Sequence, residues 1–86
     1  MQLNFLLDRL NDILNDKKNG LVVDKKIIIT ANEIWKSTFE EEKSNPKLSD
    51  LITEIGYILD YSFGKKDSVF IEELESEINK LNTLLK

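Results

Sequence analysis

The sequence predicts an all-α fold, an antiparallel four-helix bundle, from two observations. Placed at about 100° per residue, the apolar side chains fall into four separate amphipathic stretches, and three short breaker regions divide them. Each stretch has one apolar and one wet face, and the connections are short, as an up-down bundle requires. With 86 residues the chain is read as a single domain, residues 1–86, in which nearly every apolar position is needed for the core.

The first helix is expected over Gln2–Asn15, where Leu3, Leu6, Leu7, Leu10, Ile13 and Leu14 share a stripe. It should stop in the polar run Asn15-Asp16-Lys17-Lys18-Asn19-Gly20. The second stretch admits two readings. Leu21-Val22-Val23 and Ile27-Ile28-Ile29-Thr30 are β-branched enough for a local hairpin. A helix over Asp24–Lys43, capped by Asp24, is preferred because it aligns Ile27, Ile28, Ala31, Ile34, Trp35, Thr38 and Phe39. In that reading Trp35 is the largest core residue.

The third helix has the clearest start, Ser44-Asn45-Pro46, with Asn45 as N-cap and Pro46 at the first helical position. Its stripe is Leu48, Leu51, Ile52, Ile55, Leu59 and Phe63, and Gly64 is expected to end it in a left-handed conformation. Gly56, inside the helix at a cost of about 1 kcal/mol relative to Ala, points to close packing against a neighbour. The fourth helix opens near Asp67-Ser68 and buries Phe70, Ile71, Leu74, Ile78, Leu81 and Leu85. Glu72, Glu73 and Glu75 stand near its positive end, and Lys80 and Lys86 near its negative end, which suits the macrodipole.

Composition then narrows function. There is no Cys and no His, so thiol nucleophiles, Ser-His-Asp triads, the usual zinc sites and imidazole proton shuttles are all excluded. The absence of disulfides favours a reducing compartment. No glycine-rich phosphate loop, calcium loop or di-metal carboxylate–histidine pattern is present, and no cofactor is expected. Carboxylate pairs such as Asp8/Asp12 and Asp50/Glu54 fall on polar faces, where water keeps them ordinary acids. The chain is therefore read as non-enzymatic.

Nor does the sequence favour nucleic acid or a membrane-spanning role. The net charge is −4, and the lysines are scattered in pairs rather than gathered on one face. Nowhere do more than three apolar residues run together, whereas a spanning helix needs about 20. The N-terminus lacks the basic region of a signal peptide. Residues 1–43 carry seven basic and eight acidic side chains, residues 44–86 five and eight, so the acidic excess lies mainly in the second half.

Residues that break the amphipathic pattern are the candidates for binding. Tyr57 and Tyr61, four apart on the third helix, project away from the core beside Asp50 and Glu54, as in a partner-binding patch. The plainer reading is that they are ordinary half-exposed tyrosines packing over a neighbouring turn. Lys25 and Lys26 begin the second helix and Glu40, Glu41 and Glu42 end it, the unfavourable order for its dipole. That acidic run is either a docking knob or a solvated stretch before a turn. Phe5 and Ile29 also lie off their stripes.

The order of these features resembles the enterocin A type (class IIa) of bacteriocin immunity protein. The resemblance rests on Leu-Asn-Asp-Ile-Leu (10–14), a second helix ending in charge, Asn-Pro-Lys-Leu-Ser-Asp-Leu-Ile (45–52), and Phe-Ile-Glu-Glu-Leu-Glu-Ser-Glu-Ile-Asn-Lys-Leu (70–81). Leu51 to Leu81 is the most alike, with Leu51-Ile52, Leu59, Phe70, Glu72 and Ile78 in matching order. Ile71 departs from the Ser/Thr-type cap of relatives, and the sequence ends at Lys86 where relatives carry a tail.

The resemblance implies a cytoplasmic four-helix bundle that works at the inner face of the membrane. There it would protect a Gram-positive cell from a pore-forming peptide by engaging the membrane permease of the mannose-type phosphotransferase system with bacteriocin bound. It brings no catalytic residues. The competing reading is a small helical interaction module, antitoxin-like or a phage adaptor. Neither reading fixes the oligomeric state.

Overall fold

The computed structural model describes residues 2–37 and 39–85. Four helices, α1 (Leu3–Lys18), α2 (Asp24–Lys36), α3 (Pro46–Asp60) and α4 (Asp67–Leu85), follow one another in an antiparallel bundle. No strand occurs among the described residues, so the hairpin reading of residues 21–30 is set aside. α1 packs on α2 and α4, and α3 packs on the same two from the other side. The bundle measures 37 × 24 × 19 Å.

α1 runs three residues past its expected end. Gly20 takes φ +77°, which lets Leu21 N–H reach the Asp16 carbonyl at 2.9 Å and Gly20 N–H that of Lys17 at 3.1 Å. This double closure satisfies carbonyls that would otherwise be orphaned, and only glycine enters that backbone region without strain. Leu3, Leu6, Leu10, Ile13 and Leu14 are buried and Leu7 is partly buried.

α2 is shorter than the sequence suggested. It begins with Asp24 inside its first turn, Val23 being the flanking residue, and it stops at Lys36, where Ser37 turns extended (φ −101°, ψ 147°). The reason is Phe39. One helical turn beyond Trp35, it would have shared that residue's exposed edge had the helix continued. Leaving the helix carries Phe39 into the core, where it is fully buried, a gain of about 1.5–3 kcal/mol. Residues Glu40–Lys43 then form a separate 3₁₀ turn against α3. Ile28 and Trp35, assigned to the core stripe, are exposed instead. Thr38, expected on the same stripe, and Lys86, expected near the negative end of the fourth helix, lie outside the described residues.

α3 starts as expected. The Asn45 side chain accepts the Lys47 N–H at 3.1 Å, with Pro46 at the first position. Its end differs: the helix closes at Asp60, a 3₁₀ turn spans Ser62–Gly64, and Gly64 does not enter the left-handed region. Ser62 Oγ donates to the Leu59 carbonyl at 2.7 Å, tightening that turn. Phe63 is consequently carried off the stripe and exposed. In α4, Phe70, Leu74, Ile78 and Leu81 are buried, while Ile71 and Leu85 pack at the margin.

Candidate functional site

On the outer side of the α2–α3 pair, three aromatic rings form a continuous ridge. The Trp35 indole lies across α3 at Gly56: a Cβ there would stand 2.6 Å from Trp35 Cζ2, closer than carbon atoms approach. The glycine is thus the seat of the indole, and its close-packing partner is this half-exposed ring. Trp35 Nε1 donates to Asp60 Oδ2 at 2.9 Å, fixing the ring's direction. Tyr57 meets Trp35 edge-on at a centroid distance of 5.3 Å, and Tyr61 stacks on Tyr57 at 6.3 Å with planes 20° apart. These separations are those of attractive ring pairs.

The ridge is supported yet uncovered. Trp35, Tyr57 and Tyr61 remain 45%, 52% and 65% exposed. Trp35 is therefore a surface anchor and not the largest core residue; that place belongs to Phe39 and Phe70. Ile28 lies two turns before Trp35 on the same side of α2, also exposed, and lengthens the apolar surface.

Asp50 and Glu54 share the exposed stripe of α3 with the tyrosines, as the spacing 50, 54, 57, 61 dictates. Their surroundings differ, however. The rings lean toward α2, whereas Asp50 and Glu54 line a furrow between α3 and α4. There Glu54 faces Glu77 of α4. The Glu54 pKa is raised, first by a hydrogen bond with Glu77 and then by that group's negative charge, with Lys80 opposing. Lys80 donates to Glu77 Oε1 at 3.0 Å, and this bond raises the lysine's own pKa. The acid in contact with the aromatic ridge is Asp60.

The three glutamates after α2 do not form one knob. Glu40 is exposed, while Glu41 and Glu42 are half-buried. Glu41 Oε2 accepts the Leu3 N–H at 3.3 Å, so it serves the N-terminus of α1. That helix has no side-chain cap of its own and no acid in its first turn, and a carboxylate there meets both an orphan N–H and the positive end of the dipole. The unfavourable charge order assigned to α2 loses its acidic end, although Lys25 and Lys26 stay in the first turn. With the helix ending at Lys36, Asp24 lies in its first turn and a lysine in its last, and Lys26 is engaged by Asp12 and Asp16 of α1.

Sequence reasoning assigned Trp35 to the core and passed over Asp60 and Glu77. Glu77 left a visible signal: three residues after Leu74 and four before Leu81, it sits in the middle of an apolar stripe. Among the described residues, no group of three acidic side chains is arranged to hold a metal ion, and no helix is long and apolar enough to cross a membrane. The chain matches no protein-family model, no curated protein and no solved structure at a significant level.

Proposed function

We propose that this chain is an immunity protein of the enterocin A type, which acts by contact and not by catalysis. In this reading it protects a bacterium from a pore-forming peptide by binding the permease–peptide complex from the cytoplasmic side. The observation that carries the reading is the ridge of Trp35, Tyr57 and Tyr61, with rings that touch one another and stay about half exposed. Aromatic side chains of this kind supply much contact area for little lost freedom, and they dominate binding energy where partners meet. The resemblance over residues 10–14, 45–52 and 70–81 is what suggests this particular family, and the four-helix architecture is compatible with it. A rigid bundle that prefers the closed permease stabilises it by the difference in its affinity for the two states.

The test is a challenge assay. A sensitive strain expressing the protein survives the cognate peptide, and unchanged killing across a broad panel of class IIa bacteriocins contradicts the reading. Replacing Tyr57 and Tyr61 together by alanine should abolish protection and leave helical content and Tm nearly intact, because both rings are largely outside the core. Full protection by that double variant removes the ridge from the site.

A further inference from the structure

Three pairs of lysines, far apart in the sequence and expected to be scattered, are brought to one end of the bundle. Lys17 and Lys18 close α1, Lys25 and Lys26 open α2, and Lys65 and Lys66 precede α4. The α1–α2 and α3–α4 loops meet there: Lys17 bridges to Asp67 at 3.1 Å, and Lys17, Asp24, Phe63 and Lys65 line one small cleft. Residues 16–26 and 61–68 together hold six lysines against three aspartates, whereas the rest of the chain holds six basic and thirteen acidic side chains. A chain of net charge −4 therefore has one end with a surplus of three positive charges.

The same end exposes apolar side chains for which the fold has no use. Beyond Gly20, Leu21 is exposed and Val22, at the tip of the loop, is 86% exposed; only Val23 enters the core. At the other loop, the 3₁₀ turn after α3 leaves Phe63 exposed. Lys18, Lys26 and Lys65 reach Glu75, Asp12 and Glu73, but ion pairs at such exposed or half-exposed positions hold little energy, and the ammonium groups can exchange partners. Lys25 and Lys66 are exposed and make no ion pair among the described residues.

We propose that this end binds the surface of an anionic lipid bilayer, with Leu21, Val22 and Phe63 entering the headgroup layer and the surrounding lysines meeting lipid phosphates. Apolar tips ringed by cations fit a surface that is anionic outside and apolar beneath. A nucleic acid would satisfy the lysines but leave Val22 in water, and a second copy would bring a like-charged end against this one. The acidic excess of the chain does not prevent the contact. The bundle is 37 Å in its longest dimension, so charges at its far end lie several screening lengths away, each about 8 Å at physiological salt. The inference concerns a different surface from the aromatic ridge and stands whether or not the protein confers bacteriocin protection.

The probe is a vesicle of equal parts phosphatidylglycerol and phosphatidylcholine, sedimented with the protein at about 0.1 M salt, with vesicles of phosphatidylcholine alone as the comparison. The protein should partition to the anionic vesicles and at least about tenfold less to the neutral ones. Lys25→Glu with Lys66→Glu, which spares the ion pairs of the fold, should weaken binding at least about tenfold. Lys43→Glu with Lys47→Glu makes the same charge change beside the start of α3, at the opposite end, and should alter binding by less than about threefold. Leu21→Ser with Val22→Ser should weaken it on the order of tenfold at unchanged Tm, since both side chains are exposed. Absence of binding to the anionic vesicles, equal losses in the two charge-reversed variants, or full binding by the serine variant overturns the proposal. Binding to duplex DNA as tight as to the vesicles would assign the end to polyanions instead, and a concentration-dependent doubling of mass that the serine variant abolishes would assign it to a second copy; either result overturns the lipid assignment.

Discussion

The seam between α1 and α2 and the seam between α3 and α4 follow opposite electrostatic rules. Along the first, charges cross in complementary pairs: Lys26 to Asp12 at 2.7 Å and to Asp16, and Arg9 to Glu33. Along the second, acid faces acid, Glu54 against Glu77, and the one lysine on the pair, Lys80, belongs to the same helix as Glu77. Both seams close over one continuous apolar core. A bundle held by that core does not need complementary charges along every rim, because exposed ion pairs contribute little to stability. The rim of the α3–α4 seam accordingly tolerates facing acids.

The core common to both seams gives the largest expected effect. Phe39→Ala should lower unfolding free energy by about 3–5 kcal/mol, measured by urea denaturation, and should reduce amide protection in both helical pairs together. Protection lost in α2 and α3 alone would mean that the seams do not share one cooperative core. Next in size is the link between the acidic turn and α1. Glu41→Ala should cost about 0.5–1 kcal/mol and speed amide exchange at Leu3, whereas Glu40→Ala, at an exposed position, should change stability by less. Equal effects would reject the capping role. On the complementary seam, Glu33→Gln should destabilise by about 0.2–1 kcal/mol, and the loss should shrink in about 1 M salt, where the screening length falls to ~3 Å.

How much of this was legible in the sequence differs between the two seams as well. The four stripes, the Asn45-Pro46 start and the presence of a close neighbour at Gly56 follow from local rules of spacing and capping, and they stand in the structure. The failure at the end of α2 has a physical origin in the competition of tertiary burial with helical continuation. Phe39 leaves α2 to enter the core, and Trp35, thought to be buried, becomes the surface anchor over Gly56. Phe63 and Gly64 follow a 3₁₀ turn that leaves both exposed and that periodicity cannot foresee. In the candidate site, Tyr57, Tyr61, Asp50 and Glu54 were placed on one face by arithmetic alone. The split between an aromatic ridge and an acidic furrow depends on which neighbouring helix each side chain turns to, and helical spacing on one element does not encode that. Glu77 could have been found, as a charge within an apolar stripe.

The smallest effect is the most direct test of the contrast between the seams. The raised Glu54 pKa means that the folded protein holds a proton there more tightly than the unfolded chain. The associated stability is present below the unfolded value, near 4.5, and is lost as pH rises through the higher folded value. Asp50 and Lys80 act on the same group, the acid raising and the lysine lowering its pKa. At neutral pH Glu54 and Glu77 therefore repel, and a glutamine at position 54 removes that repulsion. The decisive measurement is the Tm of Glu54→Gln relative to the unsubstituted protein across the acidic to neutral range. The account predicts a small rise at neutral pH, a few tenths of a kcal/mol in stability, which vanishes as the pH falls below about 4.5. A lower Tm for Glu54→Gln at neutral pH would contradict it, because the α3–α4 seam would then depend on that carboxylate for stability.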